Sequence, residues 1–162
     1  MRSFLPIGVA LGSAMLAVAA QAAGTVQVSF VKPENFADVR DAHQRADDNL
    51  RALQRDIEAL AAQYVGDGQT LKVEVLDVDL AGEIHHGRRL NDVRVLRGRA
   101  DWPRITLRYV LDAPGVAPRT GQAVVADMAY LERTRPYDHG ETMFPYERRM
   151  LDEWFRAEFK KR

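Results

Sequence analysis

The feature that most constrains the fold is a long, largely apolar stretch, residues 70–80, in which the alternation of side chains changes phase. The change is carried by two triplets: Leu71, Val73 and Val75, followed by Leu76, Val78 and Leu80. Alternation with period two is typical of a β-strand, and a flat strand would place one of these triplets in water. A bulge near Val75 and Leu76, or coverage of both faces, is therefore expected. Residues 104–112 alternate in the same manner and predict a second central strand of the same sheet.

Patterns on either side of these strands predict the rest of the fold. An apolar stripe on an otherwise charged stretch predicts an amphipathic helix over residues 43–65, and Pro145 suits the first turn of a closing helix. Further strands are expected over residues 25–31, 93–96 and 122–130. This order predicts an α+β fold, with a mainly antiparallel sheet of about five strands. A long helix after the first strand and a C-terminal helix are expected to pack on it. The stripe on the first helix also suits a dimer seam, so self-association through that helix or through a sheet edge remains an alternative.

The N-terminus predicts export. Arg2 precedes an uncharged, mostly apolar run over residues 4–20, and Ala20-Gln21-Ala22 offers small residues for a signal peptidase. We therefore expect a signal peptide over residues 1–22 and a single α+β domain over residues 23–162. An uncleaved membrane anchor is the alternative, although the run is shorter than a comfortable spanning helix. No second run approaches that length, so no stable membrane span is expected after cleavage.

Composition narrows the compartment and the partners. The chain has no cysteine, which excludes disulfides and thiolate chemistry and fits a bacterial periplasm. Its 23 basic and 23 acidic side chains balance, so no overall field would attract DNA or RNA. Nucleic acid is therefore not expected as a partner.

A group of acids and histidines follows the central strand and is the sharpest candidate for chemistry. Carboxylate and imidazole groups are ligands for divalent metals, so the group predicts a metal site. Its members are Asp77, Asp79, Glu83 and His85, with His86 adjacent. The spacing matches no specific metal motif. The alternative is that Asp77 and Asp79 join an architectural network with arginines of neighbouring strands, because a buried carboxylate needs a partner. The candidate partners are Arg94, Arg97, Arg99, Arg104 and Arg108.

The same arginines permit a different function. Seven arginines lie within residues 88–108, and guanidinium groups bind phosphate in a bidentate manner. This arginine strip predicts a site for an anionic envelope ligand, such as a phospholipid headgroup or a glycan phosphate. The residues assigned to it are Arg88, Arg89, Arg97, Arg99, Trp102 and Arg104.

Four blocks of the sequence resemble a bacterial family catalogued as domain of unknown function 3016. The blocks span residues 75–83, 97–105, 127–131 and 146–151, and they read VLDVDLAGE, RGRADWPRI, DMAYL and YERRML. The resemblance extends over nearly all of the predicted mature chain. It implies a secreted envelope protein of proteobacterial type, and it brings no established activity and no catalytic residue.

Together these observations favour a periplasmic, non-catalytic binding or accessory module of the cell envelope. The chain lacks a nucleophile elbow and a Gly-rich phosphate loop, and no cofactor is expected. The expected partner is an anionic envelope ligand or another envelope protein. The alternative is a metal-dependent hydrolase that uses Asp77, Asp79 and His85.

Overall fold

The computed structural model describes residues 23–40, 46–85, 93–132 and 142–159. The strands are β1 Thr25–Phe30, β2 Thr70–Asp79, β3 Glu83–His85, β4 Val93–Val95, β5 Arg104–Ala113 and β6 Val116–Ala126. The helices are α1 Ala46–Ala61 and α2 Pro145–Phe159, and a short 3₁₀ helix spans Pro33–Asn35. The predicted signal peptide and the first residues of the predicted helix 43–65 lie outside the described residues.

The main sheet has four strands and is mixed, and a separate two-stranded sheet accompanies it, so the expected single, mainly antiparallel sheet of about five strands is corrected on these points. Four strands pair in the order β1-β2-β5-β6, and β3 pairs with β4 in a separate two-stranded sheet. Strands β1 and β2 are parallel, whereas the β2–β5 and β5–β6 pairs are antiparallel. The parallel pair arises because the chain between β1 and β2 crosses over through α1, and a crossover returns the next strand in the same direction.

The segment between β1 and α1 extends the sheet instead of leading straight into the helix. After the 3₁₀ helix, Asp38 forms a parallel bridge with Asp79 at the end of β2. Its N–H donates to the carbonyl of Val78 at 2.9 Å, and the N–H of Leu80 donates to its carbonyl at 3.1 Å. The long helix expected after the first strand therefore does not follow β1 directly, because this segment first pairs with the far end of β2.

The predicted bulge in the central strand is confirmed. The β2–β5 register shifts between Val75 and Asp77, so Leu76 is the extra residue. Val75 and Val78 are both fully buried on the inner face of the sheet. The bulge thus reconciles the two apolar triplets with a strand that has one buried face.

Helices α1 and α2 cover the inner face and form the core with it. Leu53, Ile57 and Leu60 of α1 are buried against the strands, as are Leu151 and Phe155 of α2. Helix α1 contacts β1, and α2 contacts β6. No helix in the described part of the chain is both long and apolar enough to cross a bilayer.

Strand β6 differs from its prediction at both ends. It was expected over residues 122–130 but runs from Val116 to Ala126, and Tyr130 is buried in the turn that follows. Gly121 lies opposite Tyr109, and a Cβ there would be 2.6 Å from the Tyr109 ring. Proline and glycine usually argue against a strand, and both Pro118 and Gly121 are accommodated on this edge strand.

Candidate functional site

The two aspartates of the predicted metal site are engaged by neighbouring groups. Asp77 Oδ1 accepts the N–H of Ala37 at 2.8 Å. Asp79 Oδ2 accepts from Arg104 at 3.0 Å across the β2–β5 pair. Burial raises the pKa of Asp79; Arg104 opposes this rise, and the nearby Asp38 carboxylate reinforces it.

The other two predicted ligands lie on β3. Glu83 and His85 are exposed, and Glu83 Oε2 lies 3.9 Å from His85 Nε2 and 3.3 Å from Arg97. His86 lies outside the described residues. Within the described ranges, no three His, Cys, Asp or Glu side chains are close enough together to hold a metal ion. The four predicted ligands therefore lie as two pairs on different strands.

The described members of the arginine strip each contact a carboxylate of the chain. Arg97 pairs with Glu83, and Arg104 pairs with Asp79. Arg99 pairs with Glu132 at 2.8 Å, although its side chain is 84% exposed. Trp102 is half-buried just before β5, and Arg88 and Arg89 lie outside the described residues. The arrangement is that of a carboxylate–arginine network between strands and loops, the alternative considered from the sequence.

A hollow of about 780 Å³ lies on the outer face of the main sheet. Arg108 and Glu74 form an ion pair across its floor, and Lys72 lies 3.9 Å from Asp112. Four other residues of its lining are polar and exposed: Gln27, Ser29, Thr120 and Gln122. These are properties of a solvated sheet face, so size alone does not make this hollow a binding site.

A smaller and mainly apolar hollow of about 430 Å³ lies where the end of β2 meets the start of α2; we call it the β2–α2 pocket. Its volume is within the range of small-molecule sites. The apolar wall contains Leu80, Ala81, Leu96, Met143, Phe144, Pro145 and Tyr146. Asn49, Arg94 and Glu147 supply the polar groups. An apolar pocket with a few convergent polar groups has the composition expected of a ligand site.

Glu147 is buried in this wall, with 2% of its surface exposed. Its Oε1 accepts the N–H of Ala81 at 2.7 Å, which ties the first turn of α2 to the end of β2. Burial raises the pKa of Glu147, while the N–H of Ala81, its own N–H and the charge of Arg94 act in the opposite direction. Glu147 also lies in the first turn of α2, where the helix dipole favours a negative charge.

Arg94 of β4 joins three segments around the pocket. Its guanidinium donates to Asp38 at 2.9 Å and to the carbonyl of Arg40 at 2.5 Å. It also donates to the carbonyls of Ala81 at 3.3 Å and Gly82 at 2.7 Å. This arginine is therefore committed to internal oxygen atoms.

Asn49 of α1 contributes a buried acceptor that lacks a donor. The residue is 1% exposed, and its Nδ2 donates to the carbonyl of Val39 at 2.9 Å. Because a carbonyl oxygen only accepts, this bond fixes which amide atom is the nitrogen. Among the described residues no donor reaches Asn49 Oδ1. An unpaired buried oxygen is unusual in a native protein and invites a functional explanation.

A buried network behind the pocket holds its wall in place. Arg149 donates to Asp127 at 3.1 Å and to the carbonyl of Tyr130 at 2.6 Å. The Tyr130 hydroxyl donates to Asp101 at 2.7 Å, and burial together with this bond raises the pKa of Tyr130 to about 12. The Tyr146 ring packs edge-on against Tyr130, with centroids 4.9 Å apart. The network thereby positions one aromatic side of the pocket.

A second cluster fixes the chain just before α2. Asp56 of α1 accepts from Arg148 at 2.5 Å and from the Thr142 hydroxyl at 2.5 Å. The Thr142 hydroxyl in turn accepts the N–H of Phe144 at 3.1 Å. Asn49 and Asp56 are seven residues apart, so both lie on the face of α1 turned toward the start of α2.

Comparison with known families assigns the chain to one of them. The model of the family described as "Protein of unknown function (DUF3016)" matches residues 24–157. The chain belongs to this family. No curated protein and no solved structure matches the chain. The DUF3016 match includes all six strands, α1, and α2 except for its last residues. It also includes every residue that lines the β2–α2 pocket.

The blocks that carry the DUF3016 resemblance converge at this end of the sheet. Residues 75–83 end at the pocket, residues 97–105 and 127–131 form the network behind it, and residues 146–151 begin α2. Sequence reasoning did not single out Asn49 or Glu147 as site residues. The available signals were an amide on the buried face of α1 and an acid two residues after Pro145.

Proposed function

We propose that this DUF3016 protein is a non-catalytic binding module of the cell envelope and that the β2–α2 pocket is its ligand site. The observation that carries the proposal is an apolar hollow whose wall includes a buried carboxyl and an unpaired buried amide oxygen. A few polar groups beside an apolar wall favour recognition of a ligand of matching shape and polarity.

The pairing of the charged side chains supports binding over catalysis. Asp79 is joined to Arg104, Glu83 to Arg97, and Arg94 to Asp38. General acids and bases must reach a substrate proton at hydrogen-bond distance. Side chains already engaged with internal partners favour a structural role for this network.

The N-terminal sequence supports the envelope location. Arg2, the apolar run and Ala20-Gln21-Ala22 fit an exported precursor, and the family match begins at residue 24, just after the expected cleavage site. Cell fractionation with N-terminal sequencing tests this part. We expect a periplasmic protein that begins at Ala23, and an uncleaved cytosolic protein would contradict it.

Native mass spectrometry of the mature protein purified from its own periplasm tests the binding role. We expect an additional mass that is released by mild denaturation. Met143→Ala should lower the occupancy because Met143 lines the pocket and is 58% exposed. Met128→Ala is the matched control, since Met128 is 62% exposed and lies away from the pocket lining. A bare mass, or an occupancy that Met143→Ala does not change, would count against the proposal.

A metal titration separates this proposal from the hydrolase alternative. Zinc or manganese at saturating concentration should leave the melting temperature unchanged, because Asp77 and Asp79 are engaged by Ala37 and Arg104. A clear rise that Asp79→Asn abolishes would instead favour a metal-dependent activity.

A further inference from the structure

We propose that strand β6 pairs with β6 of a second copy of this chain, so that two main sheets join into one across a two-fold axis at Ala123. The inference goes beyond the proposed function, because it concerns a different surface and does not depend on the β2–α2 pocket. Three features of β6 carry it: an open side, a second half without charge, and the fit of that half to itself.

Strand β6 has one open side. It is the last strand in the order β1-β2-β5-β6, and within the described ranges it pairs with β5 alone. Its 11 residues make it longer than β1, the other edge strand, which has 6. Unpaired N–H and C=O groups along such an edge are a template for pairing with another chain.

The alternation of backbone bonds identifies the groups on the open side. The N–H of Asp127 donates to the carbonyl of Pro103 at 3.3 Å, one position beyond the pairing of Arg104 with Ala126. Hydrogen-bonded and non-hydrogen-bonded pairs alternate along an antiparallel ladder, so the odd-numbered residues of the second half of β6 bond to β5. The even-numbered residues therefore direct their N–H and C=O groups to the open side: Thr120, Gln122, Val124 and Ala126.

The first half of β6 carries the features that normally protect an edge. A register irregularity and Pro118, which has no N–H to donate, both lie before residue 120, and Arg119 is charged. Residues 120–126 read TGQAVVA and contain neither a charged residue nor a proline. Val124 in this segment is 63% exposed. A short uncharged segment of this kind, exposed at an edge, favours pairing with another strand.

The open groups of residues 120–126 fit a second copy in antiparallel orientation. Pairing about Ala123 places Thr120 opposite Ala126 of the second copy, and Gln122 opposite Val124 of the second copy. Every open residue of the segment then exchanges hydrogen bonds with another, and none is left over. The small side chain of Ala123 meets its own copy on the axis, in a non-hydrogen-bonded pair whose Cα atoms lie about 4.5 Å apart.

Pro118 selects this register. A pairing centred on Gln122 would place Pro118 opposite Ala126 of the second copy and would lose a donor in each chain, because proline has no N–H. A pairing centred on Ala123 leaves Pro118 outside the paired segment. The axis at Ala123 therefore satisfies more backbone groups.

The charges of the chain favour a second copy as the occupant of this edge. The 23 basic and 23 acidic side chains balance, so two copies do not repel one another overall. The paired segments bring no like charges together, and the neighbouring Arg119 forms an ion pair with Glu158 of its own chain. Two-fold pairing of β6 with itself also closes the assembly at two copies.

Disulfide cross-linking tests the pairing, because the chain has no cysteine of its own. In the mature Ala123→Cys protein the two thiols would meet on the axis, within the Cα separation of about 4.4–6.8 Å that a disulfide requires. We expect a covalent dimer as the main product of mild oxidation with copper phenanthroline. Thr120→Cys is the matched control: residue 120 is more exposed, but its two copies would lie about 20 Å apart. A dimer yield for Ala123→Cys no greater than that for Thr120→Cys would overturn the inference.

Sedimentation of the mature protein is a second measurement and needs no cysteine. We expect twice the mass of one chain. Gln122→Pro should weaken the dimer at least about ten-fold, because it removes an open-side donor from each copy and leaves the bonds to β5 in place. Gln122→Ala keeps that N–H and should remain a dimer. If Gln122→Pro does not fold, the two cysteine variants decide the outcome.

Two results of sedimentation would overturn the inference: a monomeric wild type, or a dimer that a folded Gln122→Pro protein forms equally well. A monomer whose Ala123→Cys variant instead cross-links to a different periplasmic protein would also overturn it, and would indicate a strand of a partner protein as the occupant. None of these results bears on the β2–α2 pocket, since ligand retention in native mass spectrometry is read separately from the number of chains.

Discussion

The buried ion pair behind the pocket gives the sharpest stability prediction. Arg149 is 8% exposed and donates to Asp127 and to the carbonyl of Tyr130. Removing one partner of a buried pair typically costs about 3–5 kcal/mol. In Arg149→Met, Asp127 loses its counter-charge but keeps the N–H of Ala129, which donates to Asp127 Oδ1 at 3.1 Å. For Arg149→Met we expect the lower end, about 3 kcal/mol. The reason is that Arg149 Nε has no hydrogen-bond partner among the described residues, so methionine also removes an unpaired donor.

Arg99→Met is the matched control. Arg99 and Glu132 form an ion pair of 2.8 Å near the same end of the sheet, but their side chains are 84% and 54% exposed. Exposed pairs contribute at most about 1 kcal/mol, so this variant should be nearly neutral. The contrast between the two variants isolates burial, because both replace an arginine that is paired with a carboxylate.

Urea unfolding of the mature protein measures both effects. We expect the free energy of unfolding to fall by about 3 kcal/mol for Arg149→Met, with a melting temperature about 10 °C lower. Adding Asp127→Asn to Arg149→Met should restore part of the loss, since residue 127 then no longer carries a buried charge that lacks its arginine. The reasoning is refuted if Arg149→Met costs under about 1 kcal/mol, or no more than Arg99→Met does.

Three further predictions concern other parts of the structure. Gly121→Ala places a methyl group 2.6 Å from the Tyr109 ring and should lower the free energy of unfolding by about 1–3 kcal/mol; an unchanged melting temperature would show that the ring packs elsewhere. Because burial raises the pKa of Glu147 above its ordinary 4.5, the folded state binds its proton more tightly than the unfolded state. The Glu147 contribution to stability is therefore lost as pH rises from about 4.5 through the folded pKa. Over that range, the free energy of unfolding of Glu147→Gln, measured with urea, should rise relative to that of the wild type, and a difference independent of pH would contradict this. Tyr130, with a pKa of about 12, should not ionise with the ordinary tyrosines, so Tyr130→Phe should leave the phenolate absorbance step near pH 10 unchanged, and a smaller step there would contradict burial against Asp101.

Several features of the fold could be predicted because their signals are local. The phase change between Val75 and Leu76 predicted the bulge in β2, since side chains of a strand alternate strictly. The apolar stripe predicted α1, and Pro145 predicted the start of α2. Each of these signals is contained in a few consecutive residues.

Other features could not be predicted because they depend on distant segments. The parallel pairing of β1 with β2 follows from the path of the chain between them, which the alternation within β1 does not record. The short 3₁₀ helix and the return of Asp38 to β2 were not predicted, because the bridge joins residues 41 positions apart. The extent of β6 was underestimated because Pro118 and Gly121 resemble strand breakers when their edge position is unknown.

The candidate site residues also divide into those grouped by closeness along the chain and those brought together only by the fold. From the sequence, Asp77, Asp79, Glu83 and His85 were grouped because they lie close together along the chain. In the structure they occupy two strands, and the two aspartates contact Ala37 and Arg104. The metal and arginine-strip assignments remain predictions. The β2–α2 pocket was not foreseen, because its polar residues are far apart in the sequence.

The sequence by itself determined the identity of most helices and strands and the apolar face of each, because hydrophobic periodicity is a property of neighbouring residues. It also determined the family, through blocks that extend along the matched residues 24–157. Only the tertiary structure decided the direction of β1, the partners of the charged side chains and the location of the pocket. Glu147 meets the backbone of Ala81 across 66 positions of sequence. Such a contact is fixed by how the helices pack on the sheet, and no local pattern of residues encodes it.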